Sequence, residues 1–251
     1  MLFRSGFGAA AAVAFGAEGA KLLLGARRMD RLKAVAAEAT KAGAAEVHYQ
    51  RLDVSKTSSV EKFVAWSRKK LDHKAPVIDV LINNAGGAMG VDYVAQGKDE
   101  DWETMMETNV LGLLRVTRAV LPLMVNNPGS SILNIGSNAS RIPYEGGAAY
   151  CAAKAGELAI SRALRLELLG TGIRICSIDP GLAKTEFALV RYKGDQEKAA
   201  KLYEGTYPLV AQDIAEILVW VASRPSHVNI DELLVKPTDQ ATIYKIHRRK
   251  T

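Results

Sequence analysis

Short, nearly continuous apolar runs alternate along this chain with longer stretches whose apolar positions recur every three or four residues. The apolar runs cover Lys21 to Ala26, Val47 to Leu52, Val77 to Ile82, Ile132 to Ile135, Gly172 to Ile178 and Glu232 to Val235. Runs without polar alternation suit strands covered on both faces. Helical periodicity covers Ala9 to Glu18, Met29 to Ala42, Thr57 to Leu71, Asp99 to Val125, the Ala-rich stretch that follows Gly147, and Asp213 to Ala222. Strands that alternate with helices predict a parallel sheet with helices on both faces, a doubly wound α/β fold. The 251 residues suit a single domain of this kind, and no repeat or low-complexity linker divides them.

Composition narrows the class only slightly. A hydrophobic share of 48% and a charged share of 24% are ordinary for a soluble globular chain. Val110 to Val125 comes nearest to membrane-spanning length, but Arg115 and Arg118 interrupt it. The net charge of +6 raises the question of a nucleic-acid partner. The basic residues are nevertheless dispersed, apart from His247-Arg248-Arg249-Lys250, and no nucleic-acid motif accompanies them, so a solvated tail is the expectation. Cys151 and Cys176 make neither a disulfide framework nor a metal site, and a reducing, cytoplasmic setting is the simple inference.

Chemistry concentrates after the fourth apolar run. Ser137 follows that run and should sit at the carboxyl end of a strand, where open α/β sheets place their ligands. Tyr150 lies thirteen positions later and Lys154 four beyond it, in sequence of helical period. An i, i+4 pair shares one helix face. An ammonium beside a phenol favours the phenolate, which lets a tyrosine exchange a proton with an alcohol or carbonyl near neutral pH. Upstream, Ser5-Gly6-Phe7-Gly8 opens the first helix, and Gly6 and Gly8 suit the end of a loop that lets a pyrophosphate reach a helix N-terminus. Arg27 and Arg28 close the strand after it, where arginine accommodates the 2′-phosphate of NADP and an acid would select NAD. In Asn83-Asn84-Ala85-Gly86 the small residues allow a flat group against the backbone, and the asparagines can tie strand ends together.

These motifs resemble the short-chain dehydrogenase/reductase family, with its Ser and Y-x-x-x-K set, its N-N-A-G and its P-G-x-x-x-T. The resemblance runs from Ser5 onward. It implies a Rossmann-like oxidoreductase in which Ser137, Tyr150 and Lys154 carry the proton chemistry beside a nicotinamide. Asn109 is implied to bend its helix and keep a water linked to the lysine. Asp53 and Val54 are implied to hold the adenine, and Pro180, Gly181 and Thr185 to contact the nicotinamide amide. The segments Pro180 to Asp195 and Ser226 to Gln240 are similar to the serine/3-hydroxy acid dehydrogenase branch. That branch uses NADP on L-serine, L-allo-threonine and related acids, and its members are usually homotetramers. Glu186 to Leu202 is then the segment that covers substrate. Arg191 is a candidate anchor for the acid group, against the alternative of a surface pair with Asp195, and Arg141 is the second candidate.

Alternatives stay open at this point. A broad NADPH-dependent carbonyl reductase uses the same chemistry on an apolar pocket, and a binding protein that keeps part of the fold is the non-enzymatic reading. The start of the chain bears on the latter. In the family's T-G-x-x-x-G-x-G an ungapped match places Leu2 at the first glycine, and no strand precedes it. Arg4 before an Ala-rich run also admits a weak signal-peptide reading. In the doubly wound order the first strand lies between those ending at Ala26 and Ile82. A chain shortened there is expected to fold marginally and to bind NADP poorly. Trp220 is expected in the core.

Overall fold

The computed structural model describes residues 6–71, 76–124 and 127–249. The readings placed on Met1 to Ser5, Val125 and Lys250 lie outside them. Among the described residues the helices are α1 (Gly6–Ala17), α2 (Met29–Ala42), α3 (Thr57–Arg68), α4 (Asp99–Met106), α5 (Gly112–Val120), α6 (Ala148–Glu167), α7 (Phe187–Arg191), α8 (Gln196–Lys201) and α9 (Ala211–Ala222). The strands are β1 (Lys21–Ala26), β2 (Glu46–Arg51), β3 (Val80–Asn83), β4 (Ser131–Ile135), β5 (Arg174–Pro180) and β6 (Glu232–Val235). All pairings between them are parallel.

The sheet comes in two pieces, β1 with β2 and β3-β4-β5-β6 in that order. β1 and β3 do not pair, and the division falls where the sequence places the edges of an additional strand. Burial follows the same line. Every residue of β4 and β5 is buried, whereas β1, β2 and β3 are half-buried or exposed throughout. Helix α1 joins the pieces. Its Phe7, Ala11 and Phe15 pack with Val80, Ile82 and Leu133, and the backbone of its Gly16 lies against Ala39 of α2.

Side-chain alternation along β4 and β5 builds a core on each face. Ile132 and Ile175 meet Val60 and Val64 of α3, Val120 of α5 and Leu164 of α6. Leu133, Ile135, Cys176 and Ile178 meet α1 and Ile214 and Leu218 of α9. Arg174 fastens the second layer. Its guanidinium donates to the carbonyls of Val221, Ala222 and Arg224 at the end of α9 and to Gly129. A cation on the last carbonyls of a helix meets both unpaired acceptors and the negative end of the dipole.

The long helix expected from Asp99 to Val125 is broken by a π turn at Glu107–Leu111 and ends in a 3-10 turn at Leu121–Leu123. Trp220 is corrected: it is 46% exposed, and the Arg224 guanidinium lies 4.9 Å over its ring. Its helix turns Ile214, Leu218 and Val221 inward, so a residue two positions after Leu218 faces out.

Candidate active site

The carboxyl ends of β1, β3, β4 and β5 point to one side, and the residues singled out in the sequence gather there. Ser137 follows β4 at 8% exposure and opens a 3-10 turn at Asn138–Ser140, its Oγ accepting from the Ala139 N–H at 3.1 Å. Tyr150 and Lys154 share the buried face of α6 with Glu157 and Ser161. The Lys154 ammonium donates to the Ile135 carbonyl at 2.8 Å and to Glu157 Oε2 at 2.7 Å. Burial, the largest influence, disfavours that charge, yet Glu157, Tyr150 and Asp179 together carry Lys154 above the ordinary lysine range. Burial pushes the Glu157 carboxyl up against the pull of Lys154.

Asn109 sits in the π turn at 1% exposure. Its amide donates to the carbonyls of Gly87 and Met105, and its Oδ1 accepts from the Gly87 N–H. From the π turn the asparagine thus holds the irregular segment after Gly86 against the helix. Gly86 has no room for a side chain, since a Cβ there would stand 2.5 Å from Asn109 Oδ1. Asn83 donates to Asn134 Oδ1 and Thr117 Oγ1, which ties β3 to β4 and α5, and Asn134 in turn donates to Ser161. Ala85 and Gly86 are left exposed on the cleft.

The remaining expected contacts ring this centre. A Cβ on Gly8 would come 2.6 Å from Asn84 Nδ2, so α1 approaches β3 closely only because that position is glycine. Gly6 begins α1 at φ +37°. Asp53 accepts from the Ser55 hydroxyl and N–H, which holds its carboxyl below the usual range, and the neighbouring Val54 packs on Gly112. Pro180 ends β5, the Gly181 N–H donates to Val235, and Thr185 Oγ1 accepts from Phe187 N at the start of α7. Arg27 lies at the end of β1. Arg28 and Arg31 pair with Glu186, which bridges the first βα turn to the segment over the site. Arg31 and Glu186 were not singled out from sequence, because their partners lie about 155 positions apart.

Segment 187–191 roofs the tyrosine. The Phe187 ring centroid lies 5.6 Å from that of Tyr150. The Arg191 guanidinium lies 5.1 Å over the Tyr144 ring and 5.9 Å over the Tyr150 ring. Its Nε donates to Gly90 O, the Gly90 N–H returns a bond to Arg191 O, and its Nη2 is buried with no hydrogen-bond partner. The surface pair with Asp195 does not form; Asp195 caps α8. Arg141, the second candidate for the substrate's acid group, is held in ion pairs in this structure. Its Nη2 donates to Asp179 Oδ2 and Glu232 Oε2, each at 2.6 Å, and Asp179 is fully buried, so this guanidinium neutralises acids of β5 and β6. A cavity of about 20 Å³ adjoins Tyr150, walled by Met89, Gly90, Trp102, Met105 and Gly147.

A serine hydroxyl, a phenol and an ammonium at the carboxyl edge of a doubly wound parallel sheet, beside close-approach glycines, define an oxidoreductase site for hydride exchange. The chain belongs to the short chain dehydrogenase family, whose model matches residues 3–195. Among curated relatives, it is 43% identical to the NADP-dependent 3-hydroxy acid dehydrogenase of Salmonella typhi, over 94% of this chain and 93% of that protein. It is 41% identical to the serine 3-dehydrogenase of Agrobacterium fabrum (94% and 92%) and 43% identical to a sulfoacetaldehyde reductase of Chromohalobacter salexigens (94% and 92%). Among solved structures, the closed form of a serine dehydrogenase complexed with NADP+ superposes with a TM-score of 0.88 at 39% identity, over 98% of this chain and 97% of that one.

Proposed function

We propose that this protein transfers hydride between NADP and the C3 hydroxyl carbon of a small 3-hydroxy acid such as L-serine or L-allo-threonine. The carrying observation is the unpartnered, buried Nη2 of Arg191 above Tyr150. A guanidinium edge held open beside the proton-handling phenol suits a carboxylate or sulfonate two bonds from the reacting carbon. The three relatives mentioned above are named for substrates that carry an acid group, which supports the same reading.

The chain's residues fit the cofactor. Gly6 and Gly8 open the 12-residue α1, the exposed backbone of Ala85 and Gly86 can meet a flat ring, and Arg27, Arg28 and Arg31 collect where a 2′-phosphate needs cations. Asp53 and Val54 line the adenine end, and Pro180, Gly181 and Thr185 the nicotinamide end. When bound, the nicotinamide accepts or returns the hydride. Tyr150 takes the hydroxyl proton, Ser137 Oγ hydrogen-bonds the same oxygen, and Lys154 holds the phenolate by its charge. Asn109 fixes the backbone at Gly87 that borders this space. Arg191 orients the acid so that C3 faces the cofactor. Exposed Leu166 and Leu169 on and just after α6 support assembly into an oligomer, for which we propose the homotetramer.

A substrate panel tests the reading. L-serine, L-allo-threonine and 3-hydroxypropanoate should reduce NADP+, and their methyl esters should not. Equal turnover of acids and esters favours a broad carbonyl reductase and overturns it.

A further inference from the structure

Glu157 lies one turn beyond Lys154 and is 3% exposed. An acid in the interior of an α/β domain needs a reason. Its Oε2 accepts from the Lys154 ammonium, itself 6% exposed. The other bond recorded for that ammonium runs to the neutral Ile135 carbonyl. We propose that Glu157 is a positioning residue that keeps Lys154 protonated and aimed, so that the lysine's charge is available to the Tyr150 phenolate. The inference rests on Tyr150 handling the proton and does not depend on which substrate is used.

The charges around the pair leave this role to Glu157. On α6 itself Lys154 lies one turn before Glu157 and Tyr150 two turns before it. From β5, Asp179 acts on both members of the pair, but its carboxylate is bound to Arg141 and so is largely compensated. Cys176 on the same strand is a buried thiol, pushed up to about 12 by desolvation, and stays neutral. From the π turn comes the neutral Asn109, whose neighbour Glu107 pairs with Arg115. From α4, Asp101 pairs with Lys193. From α7, Arg191 adds a second positive charge on the far side of Tyr150. A buried ammonium that loses its counter-ion sheds its proton or swings toward water. Either response withdraws positive charge from the phenol.

The test is the pH profile of kcat/KM for alcohol oxidation in the wild type, Glu157→Gln and Glu157→Leu, with Glu157→Asp as the conservative variant. Gln and Leu should move the rising limb to higher pH by about one unit, which is about a tenfold loss near pH 7 that recovers toward pH 10. Asp should restore much of the wild-type profile. A parallel titration of ¹³Cζ-labelled tyrosine, assigned with Tyr150→Phe, should show the same upward displacement without any substrate. A uniform loss across pH, an unmoved limb, or a limb moved to lower pH would overturn the proposal. Failure of both Gln and Leu to fold while Asp folds would assign the carboxylate to stability alone and overturn it equally.

Discussion

Replacing Arg191 by alanine removes a guanidinium edge that stands buried and unpartnered beside Tyr150. A charge-assisted hydrogen bond contributes about 1.5–3 kcal/mol net, and a forked pair to a carboxylate sits at or above the top of that range. Taking about 3 kcal/mol, kcat/KM for a 3-hydroxy acid should fall roughly 150-fold, at about 1.4 kcal/mol per tenfold. Arg191→Lys keeps the charge without the fork and should lose about tenfold. Arg191 also bonds Gly90 O and lies over Tyr144, so part of any loss reflects a loosened roof. Stopped-flow or steady-state reduction of NADP+ with the acid and its methyl ester separates the two effects. The ester reports the roof, and the ratio of acid to ester reports the anchor. An unchanged ratio in Arg191→Ala would remove Arg191 from substrate binding.

Three further outcomes follow from the geometry. Arg174→Met should leave the last carbonyls of α9 unpaired and lower stability by about 3–5 kcal/mol, read as a drop in denaturation midpoint without a change in slope. The Cys176 thiol, desolvated to about 12 in the folded chain, keeps its full stabilising contribution below the unfolded thiol range. That contribution is lost as pH rises from about 8.5 toward 12, at about 1.4 kcal/mol per unit, and Cys176→Ala should flatten the alkaline limb of a stability-pH curve. Arg28→Asp should reduce the preference for NADP over NAD at least tenfold in dissociation constants measured by calorimetry, since one cation near the 2′-phosphate is exchanged for a repelling charge; an unaltered ratio would move the phosphate elsewhere.

The fold was largely legible because strands buried on both faces leave apolar runs that no other element needs. β1, β6 and α2 fall where the pattern places them. The Ser137, Tyr150 and Lys154 cluster was legible because its spacing is local, within one strand end and one helix. What escaped depends on long-range partners. Arg141 reads as a free cation beside Ser137 until β5 and β6 bring Asp179 and Glu232 to it from 38 and 91 positions away. Arg31 and Glu186 meet only across the first βα turn. Glu157 reads as an ordinary helix acid, since nothing in the sequence tells that its face is the buried one that carries Lys154. The π turn around Asn109 is likewise invisible to a 3.6-residue period, which continues on both sides of it.

Tracing the hydride tests the central claim most directly. L-serine or 3-hydroxypropanoate deuterated at C3 is incubated with NADP+ and the protein, and the reduced cofactor is examined by NMR or mass spectrometry. The account predicts deuterium on the nicotinamide C4 with the wild type, and its loss in Tyr150→Phe, whose NADP binding stays within a few-fold of wild type. Folded wild-type protein that binds NADP+ yet transfers no deuterium from any 3-hydroxy acid would contradict the substrate. Transfer at an undiminished rate in Tyr150→Phe would contradict the chemistry.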